Sequence, residues 1–294
     1  MTKTVLGIIG GSGVYGMDGL RDVREEHIAS PWGAPSDPVR FGVLEGVDVV
    51  FLARHGRGHR LSPTHINYRA NIDVLKRAGV TDLISLSACG SLREDLAPGT
   101  FVLVDQYIDR TTAARAKSFY GDGVVAHVSM AQPVCPKLLD ALESAAKAES
   151  IPCRRGGTYL AMEGPQFSTL AESKLYRSWG CDVIGMTNMP EAKLAREAEL
   201  PYASVAMVTD YDCWHPAHGA VEVSHVIEVL KANAEKAQAL IRRAAPLLVP
   251  ERKPSPLGIE TVLDTALITP REARDPGLVE KLDAVAGRVL RGAP

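Results

Sequence analysis

Residues 202 to 214 read Tyr-Ala-Ser-Val-Ala-Met-Val-Thr-Asp-Tyr-Asp-Cys-Trp, an apolar run that ends in two carboxylates. A run of this length predicts a buried β-strand, because strands of parallel sheets are covered on both faces. Side chains alternate between the faces of a strand, so Asp210 and Asp212 are expected to point the same way. In open α/β proteins, ligands bind just beyond the carboxyl ends of such strands. The two aspartates are therefore a candidate functional site.

Other short apolar runs end in polar or glycine-rich segments and alternate with longer helical patterns. The further predicted strands are Val5 to Ile9, Val47 to Ala53, Leu83 to Leu86, Thr158 to Met162 and Val183 to Met186. The predicted helices are Ile72 to Ala78, Leu138 to Ala148, Leu170 to Trp179, Glu191 to Ala198 and His225 to Leu247, and Pro190 suits a first helical turn. This alternation predicts an α/β fold: a single domain with a twisted, mixed and mostly parallel sheet flanked by helices.

Three prolines break the helical pattern near the carboxyl end, at Pro250, Pro254 and Pro256. Proline clusters of this kind are typical of connecting segments. We expect a main domain over residues 1–249, followed over residues 250–294 by a proline-containing linker and a C-terminal helical arm.

The composition of the chain is that of an ordinary globular protein, with 294 residues, 46% hydrophobic residues and a net charge of -2. A general nucleic-acid binder would carry a basic excess, so no nucleic-acid partner is expected. Neither a secretory signal nor an apolar run long enough to span a membrane is evident, so we predict no membrane association and a cytoplasmic location. The five scattered cysteines indicate neither a disulfide framework nor a zinc site.

The stretch from Gly11 to Gly16 fits the dinucleotide-binding pattern G-x-G-x-x-G. That pattern needs a helix directly after the loop, and residues 17–20 are a poor helix start, so a nicotinamide cofactor is not expected. The loop has two other interpretations. Its backbone N–H groups and Ser12 are suited to an anion, or its glycines simply form a tight turn.

Residues 54 to 60 form a dense cationic loop, Arg-His-Gly-Arg-Gly-His-Arg, directly after a predicted strand. Its arginines would repel a metal ion, so no metal site is expected, whereas arginine forks match phosphate well. The alternative is a solvated basic loop. Hydroxyls or small residues at other strand exits, namely Ser12, Ser87 with Ala88 and Thr187, favour the phosphate interpretation, because parallel strands bring such exits to one edge.

Phe167 and Met186 lie close to two of these strand exits, in the segments 163–168 and 185–187. An aromatic ring can stack on a flat ligand and a methionine can line a pocket wall, although both residue types are more often part of the core. The residues alone leave these alternatives open.

Seven collinear segments together resemble the methylthioadenosine phosphorylases of the trimeric purine nucleoside phosphorylase family, over about residues 5 to 249. They are Gly7-Ile-Ile-Gly-Gly-Ser-Gly13, Leu52-Ala-Arg-His-Gly-Arg57, Ala88-Cys-Gly-Ser-Leu-Arg-Glu94, Asp105-Gln-Tyr-Ile-Asp-Arg-Thr111, Glu163-Gly-Pro-Gln-Phe-Ser168, Gly185-Met-Thr187 and Thr209-Asp-Tyr-Asp-Cys-Trp214. Serine stands at positions 12 and 87, where the animal enzymes have threonine, and each swap keeps a hydroxyl donor.

The resemblance implies a role for each matching residue. The implied phosphate site is Ser12, Arg54, His55, Ser87, Ala88 and Thr187. The implied substrate site is Met186, Asp210, Tyr211 and Asp212, with Ser168 and Val223 at positions linked to specificity. Phe167 is added to the predicted substrate site for its aromatic ring, not from the resemblance. Asp210 and Asp212 are the implied catalytic residues. His127 and Ile268 are implied to help close the pocket of a neighbouring subunit.

The implied reaction is the phosphorolysis of 5'-methylthioadenosine to adenine and 5-methylthioribose 1-phosphate by a homotrimeric pentosyltransferase. Inorganic phosphate is a co-substrate, and no cofactor is implied. Family members that act on 6-oxopurine nucleosides typically have asparagine at the position of Asp210. Three alternatives are a purine nucleoside phosphorylase of broader or 6-oxopurine specificity, a non-catalytic nucleoside-binding protein, and a nicotinamide-dependent dehydrogenase that only the glycine spacing supports.

Overall fold

The apolar run that begins at Tyr202 forms a buried strand of a mixed β-sheet. The structure is a computed structural model that describes residues 3–11, 17, 19–217, 223–249 and 252–291, without the side chains of residues 223–225. Within these residues the strands are β1 (Val5–Gly10), β2 (Arg21–Glu26), β3 (Val39–Leu44), β4 (Val47–Ala53), β5 (Asp82–Ser91), β6 (Phe101–Val104), β7 (Gln106–Asp109), β8 (Cys153–Arg155), β9 (Thr158–Ala161), β10 (Val183–Gly185) and β11 (Tyr202–Asp210). The α-helices are α1 (Tyr68–Arg77), α2 (Pro136–Ala148), α3 (Leu170–Ser178), α4 (Asn188–Glu197), α5 (Val223–Ala244), α6 (Pro276–Lys281) and α7 (Asp283–Leu290).

β5 is the strand on which the sheet is organised. One path through the sheet runs in the order β2-β3-β4-β1-β5-β10-β9-β7, and β11, β6 and β8 extend from the other edge of β5. β1 and β11 are parallel to β5, whereas β10 is antiparallel to it. The helices α2 and α5 pack against each other and against β11, and α1 packs against β4 and α4. The predicted α/β fold with a mixed sheet flanked by helices is confirmed.

The edge of β5 that faces away from β11 is shared by two strands. β1 pairs with Asp82 to Ser85, and β10 pairs with Gly90 and Ser91. Between these two stretches, the described residues place no strand against residues 86–89 on that edge. A point where strands diverge is the usual ligand position in open α/β sheets, and this one lies in the carboxyl half of β5.

One local prediction is wrong, one is confirmed, and several strands were not predicted. β5 continues to Ser91 instead of ending at Leu86, because β11 pairs with it as far as Gly90, so Ser87 and Ala88 lie inside a strand. Met189 has non-helical backbone angles, so the regular turns of α4 begin at Pro190, and the predicted place of this proline in a first helical turn is confirmed. The edge strand β2 was missed because five of its six residues are charged and it contains no apolar run.

The C-terminal arm lies on the main body of the chain. Arg252 pairs with the buried Asp82 at the amino end of β5, and Arg288 pairs with the buried Glu199. Residues 126 and 267 form an isolated antiparallel bridge. The predicted linker begins at residues 250 and 251, which are outside the described part. In the described residues no helix has the length and apolar character needed to cross a bilayer.

Candidate active site

Ser87 and Thr187 lie close together because β10 and β5 run in opposite directions. Because β10 runs antiparallel to β5, the chain that leaves its carboxyl end returns along β5 towards Ser87. The two hydroxyl oxygens lie 3.3 Å apart, and both residues are buried. Thr187 lies three residues before Pro190, where the regular turns of α4 begin. The hydroxyl pair provides neutral donors suited to an oxyanion.

Arg54 leaves the end of β4 and turns into the sheet rather than into solvent. Its side chain is 2% exposed, and Nη1 donates to the carbonyl oxygen of Leu86 at 2.9 Å, on the edge of β5 that carries no strand. Nη2 donates to Ser85 Oγ at 2.6 Å. Hence Arg54 is no part of a solvated loop, and its guanidinium lies next to the strand that contains Ser87.

The partner of Arg54 is Glu191, in the first turn of α4. Arg54 Nε donates to Glu191 Oε2 at 2.7 Å, and Nη2 donates to Glu191 Oε1 at 3.0 Å, which is a bidentate pair. Burial by itself would lower the pKa of Arg54, but the Glu191 carboxylate raises it, so the guanidinium stays charged. Glu191 also accepts a hydrogen bond from the Tyr202 hydroxyl at 2.9 Å. Sequence analysis missed Glu191, because 137 residues separate it from Arg54.

His55 is buried and neutral. Its Nδ1 lies 2.9 Å from the Leu61 carbonyl oxygen, which can only accept, so Nδ1 carries the hydrogen. Its ring stacks on that of His59 with centroids 4.0 Å apart. Burial lowers the pKa of His55 to about 4, and the nearby His59 and Arg54 act in the same direction. At neutral pH His55 therefore brings no positive charge to the site.

The neutrality of His55 can be tested directly by an NMR titration of the histidine ring protons. We expect the His55 signal to keep its neutral position from pH 8 down to about 5, because its pKa lies near 4. A His55→Gln variant identifies the signal by its absence. Since the unfolded chain takes up this proton at a higher pH than the folded chain, the stabilising contribution of His55 is lost as pH falls from about 6.5 towards 4. A His55 midpoint near 6.5 would contradict the expectation.

Asp210 and Asp212 lie at the carboxyl end of β11, but not on one strand face as predicted. β11 ends at Asp210, and Asp212 sits in the following turn with a left-handed φ of 51°. The turn nevertheless joins the two residues, because the Asp212 backbone N–H donates to Asp210 Oδ1 at 2.8 Å. Asp210 Oδ2 accepts from the Thr209 hydroxyl at 2.7 Å. Burial raises the pKa of Asp210, and the charge of Asp212 adds to this increase.

One carboxylate oxygen of Asp212 is a hydrogen-bond acceptor without a donor. Its Oδ2 is buried and has no hydrogen-bond partner among the described residues, and the same is true of the nearby Ser173 hydroxyl. Burial raises the pKa of Asp212, and the hydroxyls of Ser173 and Ser168, which lie close to the carboxylate, only partly oppose the increase. Oδ2 can therefore accept a further hydrogen bond, and a ligand that brings an N–H group would be favoured here.

Gly90 allows Asp210 to approach β5. A Cβ atom at position 90 would lie 2.9 Å from Asp210 Oδ1 and 3.4 Å from Asp212 Cβ. Ser87 and Gly90 are three residues apart on an extended strand, or about 10 Å along its axis. The hydroxyl pair and the aspartates are thus two separate polar groups in the carboxyl half of β5.

The remaining predicted substrate residues lie in different surroundings. Phe167 is 45% exposed, and Met186 is half-buried. Tyr211 is buried, and its ring stacks on His215 with centroids 4.6 Å apart. Ser168 is buried near Asp212, and its carbonyl oxygen accepts from the Cys213 thiol. Ser12 and the side chain of Val223, two further predicted residues, are outside the described part.

Arg115 is a second buried arginine that sequence analysis missed. Its side chain is fully buried, and its Nε and Nη2 donate to the side chain and carbonyl oxygen of Glu163 at 3.0 and 2.6 Å. Its Nη1 donates to the carbonyl oxygens of Met186 and Met189. Arg115 thereby holds together the segment that leads to Ser168 and the segment that contains Thr187.

His127 and Ile268 are neighbours on two paired segments. The His127 N–H donates to the Ala266 carbonyl, and the Ile268 N–H donates to the Val125 carbonyl, both at 2.9 Å. Ile268 is 62% exposed and His127 is exposed as well. An exposed isoleucine beside an exposed histidine is compatible with a contact outside this chain.

The chain is similar to known phosphorylases over nearly its whole length. Residues 5–246 match the family model described as the phosphorylase superfamily. The S-methyl-5'-thioadenosine phosphorylase of Bradyrhizobium diazoefficiens is 65% identical over 99% of this chain and 100% of that protein. The protein of the same name from Cereibacter sphaeroides is 61% identical over 99% of this chain and 100% of that protein.

Solved structures agree with these relatives. A methylthioadenosine phosphorylase sourced from an antarctic soil metagenomic library superposes with a TM-score of 0.91 at 48% identity, covering 97% of this chain and 99% of that one. The methylthioadenosine phosphorylase of Schistosoma mansoni in complex with adenine gives a TM-score of 0.83 at 35% identity, covering 93% and 99%. The chain therefore belongs to the phosphorylase superfamily and, within it, to the family of the S-methyl-5'-thioadenosine phosphorylases.

Proposed function

We propose that this chain catalyses the phosphorolysis of 5'-methylthioadenosine to adenine and 5-methylthioribose 1-phosphate. The names of its relatives support this reaction. The observation in the molecule that carries it is the buried, unpaired Oδ2 of Asp212 beside Asp210, at the end of a strand that also leads to the hydroxyl pair. The site thus offers one place for an anion and another for a hydrogen-bond donor.

In the proposed reaction, phosphate binds at Ser87, Ala88 and Thr187, beside Arg54 and His55. An oxygen of phosphate forms the bond to C1' of the ribose as the bond from C1' to N9 of adenine breaks. The transition state has oxocarbenium character, so a phosphate that keeps much of its negative charge is both nucleophile and stabilising counter-charge. Ser12, from the resemblance, is a further proposed phosphate ligand.

Asp210 is the proposed acid. As the glycosidic bond breaks, its electron pair enters the purine ring, and the proton of Asp210 passes to N7. A carboxyl group can hold a proton near neutral pH when burial disfavours its anion, which is the direction in which the pKa of Asp210 is shifted. Monohydrogen phosphate loses its own hydrogen to solvent as the ester forms, and that proton replaces the one given by Asp210.

Asp212 is the residue that we propose to recognise the purine base. The 6-amino group of adenine is a donor that would pair with the free Oδ2 of Asp212. A 6-oxopurine presents an acceptor there and would leave the carboxylate unpaired and repelled. Ser168 and Val223 are proposed specificity positions, with Phe167, Met186 and Tyr211 as proposed walls.

The test of the proposed function is a steady-state assay with methylthioadenosine and inosine, each with and without phosphate. We expect adenine release that depends on phosphate, with kcat/KM at least about 100-fold higher than for inosine, because a mismatched buried polar group costs about 1–3 kcal/mol and often more. Faster release of hypoxanthine would establish the 6-oxopurine specificity instead. Binding of methylthioadenosine without turnover would identify a non-catalytic binder.

We further propose a homotrimer in which His127 and Ile268 reach the pocket of a neighbouring subunit. We also propose a cytoplasmic location, a role in purine and methionine salvage, and a reaction that uses no cofactor or metal. The resemblance supports these points, and the adjacent exposed positions of His127 and Ile268 suit the first of them. Sedimentation equilibrium measures the mass of the assembly, and a monomer mass would exclude the trimer.

A further inference from the structure

Glu191 is the most deeply buried carboxylate near the proposed phosphate position. Its side chain is 1% exposed, that of Arg54 is 2% exposed, and the two form the bidentate pair at 2.7 and 3.0 Å. Arg54 is held independently by Ser85 Oγ at 2.6 Å and by the carbonyl oxygens of Leu86 at 2.9 Å and Ile9 at 3.3 Å. Three other acceptors therefore already orient the guanidinium, and the specific contribution of Glu191 is its negative charge.

The buried residues that the structure describes around the proposed phosphate position carry no net charge, and the exposed Arg60 is directed to the Ser36 carbonyl oxygen. The positive charge of Arg54 is balanced by the negative charge of Glu191, and burial lowers the pKa of His55 to about 4, so its ring is neutral at pH 7. Ser87, Ala88 and Thr187 offer only neutral groups. The next buried cation, Arg115, is paired with Glu163. An anion at this position would be bound by hydrogen bonds rather than by an excess of positive charge.

We infer that Glu191 is a charge-balancing positioning residue, which cancels the charge of Arg54 so that bound phosphate keeps the negative charge that the forming C1' cation requires. This inference rests on the proposed function. A net cation beside phosphate would bind the anion more tightly in the ground state. The same cation would oppose the positive charge that develops at C1', so tighter binding would not increase the rate.

The test is Glu191→Gln, which keeps the size of the side chain and one acceptor but removes the charge. We expect the KM for phosphate to fall by about fivefold or more and kcat to fall by about tenfold, because an uncompensated positive charge nearby attracts an anion more strongly inside a protein than in water. The KM for methylthioadenosine should change little. A residue that only positions Arg54 would give the opposite sign, so a higher or unchanged KM for phosphate would overturn the inference.

Glu191→Asp separates charge from geometry. It keeps the negative charge but shortens the side chain, so we expect the KM for phosphate to rise or stay the same. If Glu191→Asp lowered this KM as Glu191→Gln does, charge would not be the cause and the inference would fail.

Asp82→Asn is a matched control for a loss of stability. Asp82 is a buried carboxylate that pairs with Lys137 and Arg252 at the amino end of β5, away from Ser87. Both variants remove the charge of a buried carboxylate that is paired with cations, so both should melt at lower temperature than the wild type. Phosphate should raise the melting temperature of Glu191→Gln more than those of the wild type and Asp82→Asn. This measurement needs no turnover and can be made on a weakly stable variant; an equal increase in all three proteins would overturn the inference.

The wild-type assay distinguishes failure of the proposed function from failure of this inference. A wild type without phosphate-dependent adenine release would refute the proposed reaction, whatever Glu191→Gln does. An active wild type together with an unchanged KM for phosphate in Glu191→Gln would refute only the charge-balancing role.

Discussion

Asp210→Asn should lower kcat for methylthioadenosine phosphorolysis by about 10²–10⁴-fold, the usual contribution of general acid catalysis. Asparagine has no proton of suitable acidity to give to N7, so adenine would have to leave as an anion. The loss on inosine should be smaller, since the departing hypoxanthine spreads its negative charge onto O6. The measurement is steady-state release of each base at saturating phosphate, and unchanged adenine release would show that Asp210 is not the acid.

The pH dependence of the same reaction provides a second readout. The acid must be protonated to act, so wild-type kcat should fall as pH rises through the elevated pKa of Asp210. Asp210→Asn should lose this falling limb. Asp73→Asn is a matched control, because Asp73 is a buried aspartate on α1 whose pKa is also raised by burial, and it pairs with Arg77 away from the site. Its pH profile should match that of the wild type.

The main strands were predictable because strands covered on both faces need continuous apolar runs. β4, β5 and β11 are almost entirely buried, and β4, β11 and the first half of β5 appear in the sequence as such runs. β2 is fully exposed at the edge of the sheet and has no such pattern. β10 has only three residues, and nothing in Val183–Gly185 reveals that it runs antiparallel to β5. A buried strand is visible in the sequence as an apolar run, whereas the direction of a strand depends on its tertiary pairing.

That difference explains what the sequence revealed about the site. Ser87 and Thr187 were expected to meet because parallel strands share one edge; they do lie together, but through an antiparallel β10 that returns along β5. A solvated surface was one of the two interpretations of the basic loop after β4, yet Arg54 is buried because a carboxylate on α4 balances its charge. In the sequence, Glu191 is simply an acidic residue in a first helical turn, where it interacts favourably with the helix dipole. Nothing in that pattern predicts that it pairs with a distant arginine.

Arg115→Met should lower the free energy of unfolding by about 3–5 kcal/mol, the typical result of removing one partner from a buried ion pair. Three backbone carbonyls, those of Glu163, Met186 and Met189, would lose their donor at the same time. Arg115→Lys should recover little of this loss, because an ammonium group lacks the planar fork that reaches all these acceptors. The measurement is urea unfolding at pH 7.

Arg93→Met is the control for Arg115→Met, because Arg93 is 41% exposed and its surface pair with Asp95 should contribute less than about 1 kcal/mol. Low pH gives a further test. The pKa of Glu163 is lowered to about 2; burial opposes the shift, but hydrogen bonds from Thr112, Thr64 and Arg115 outweigh it. The stability that comes from this carboxylate is present above pH 4.5 and is lost as pH falls towards 2. The stability difference between wild type and Arg115→Met should therefore shrink below pH 4.5, and a difference that stayed constant would show that Arg115 acts only by filling space.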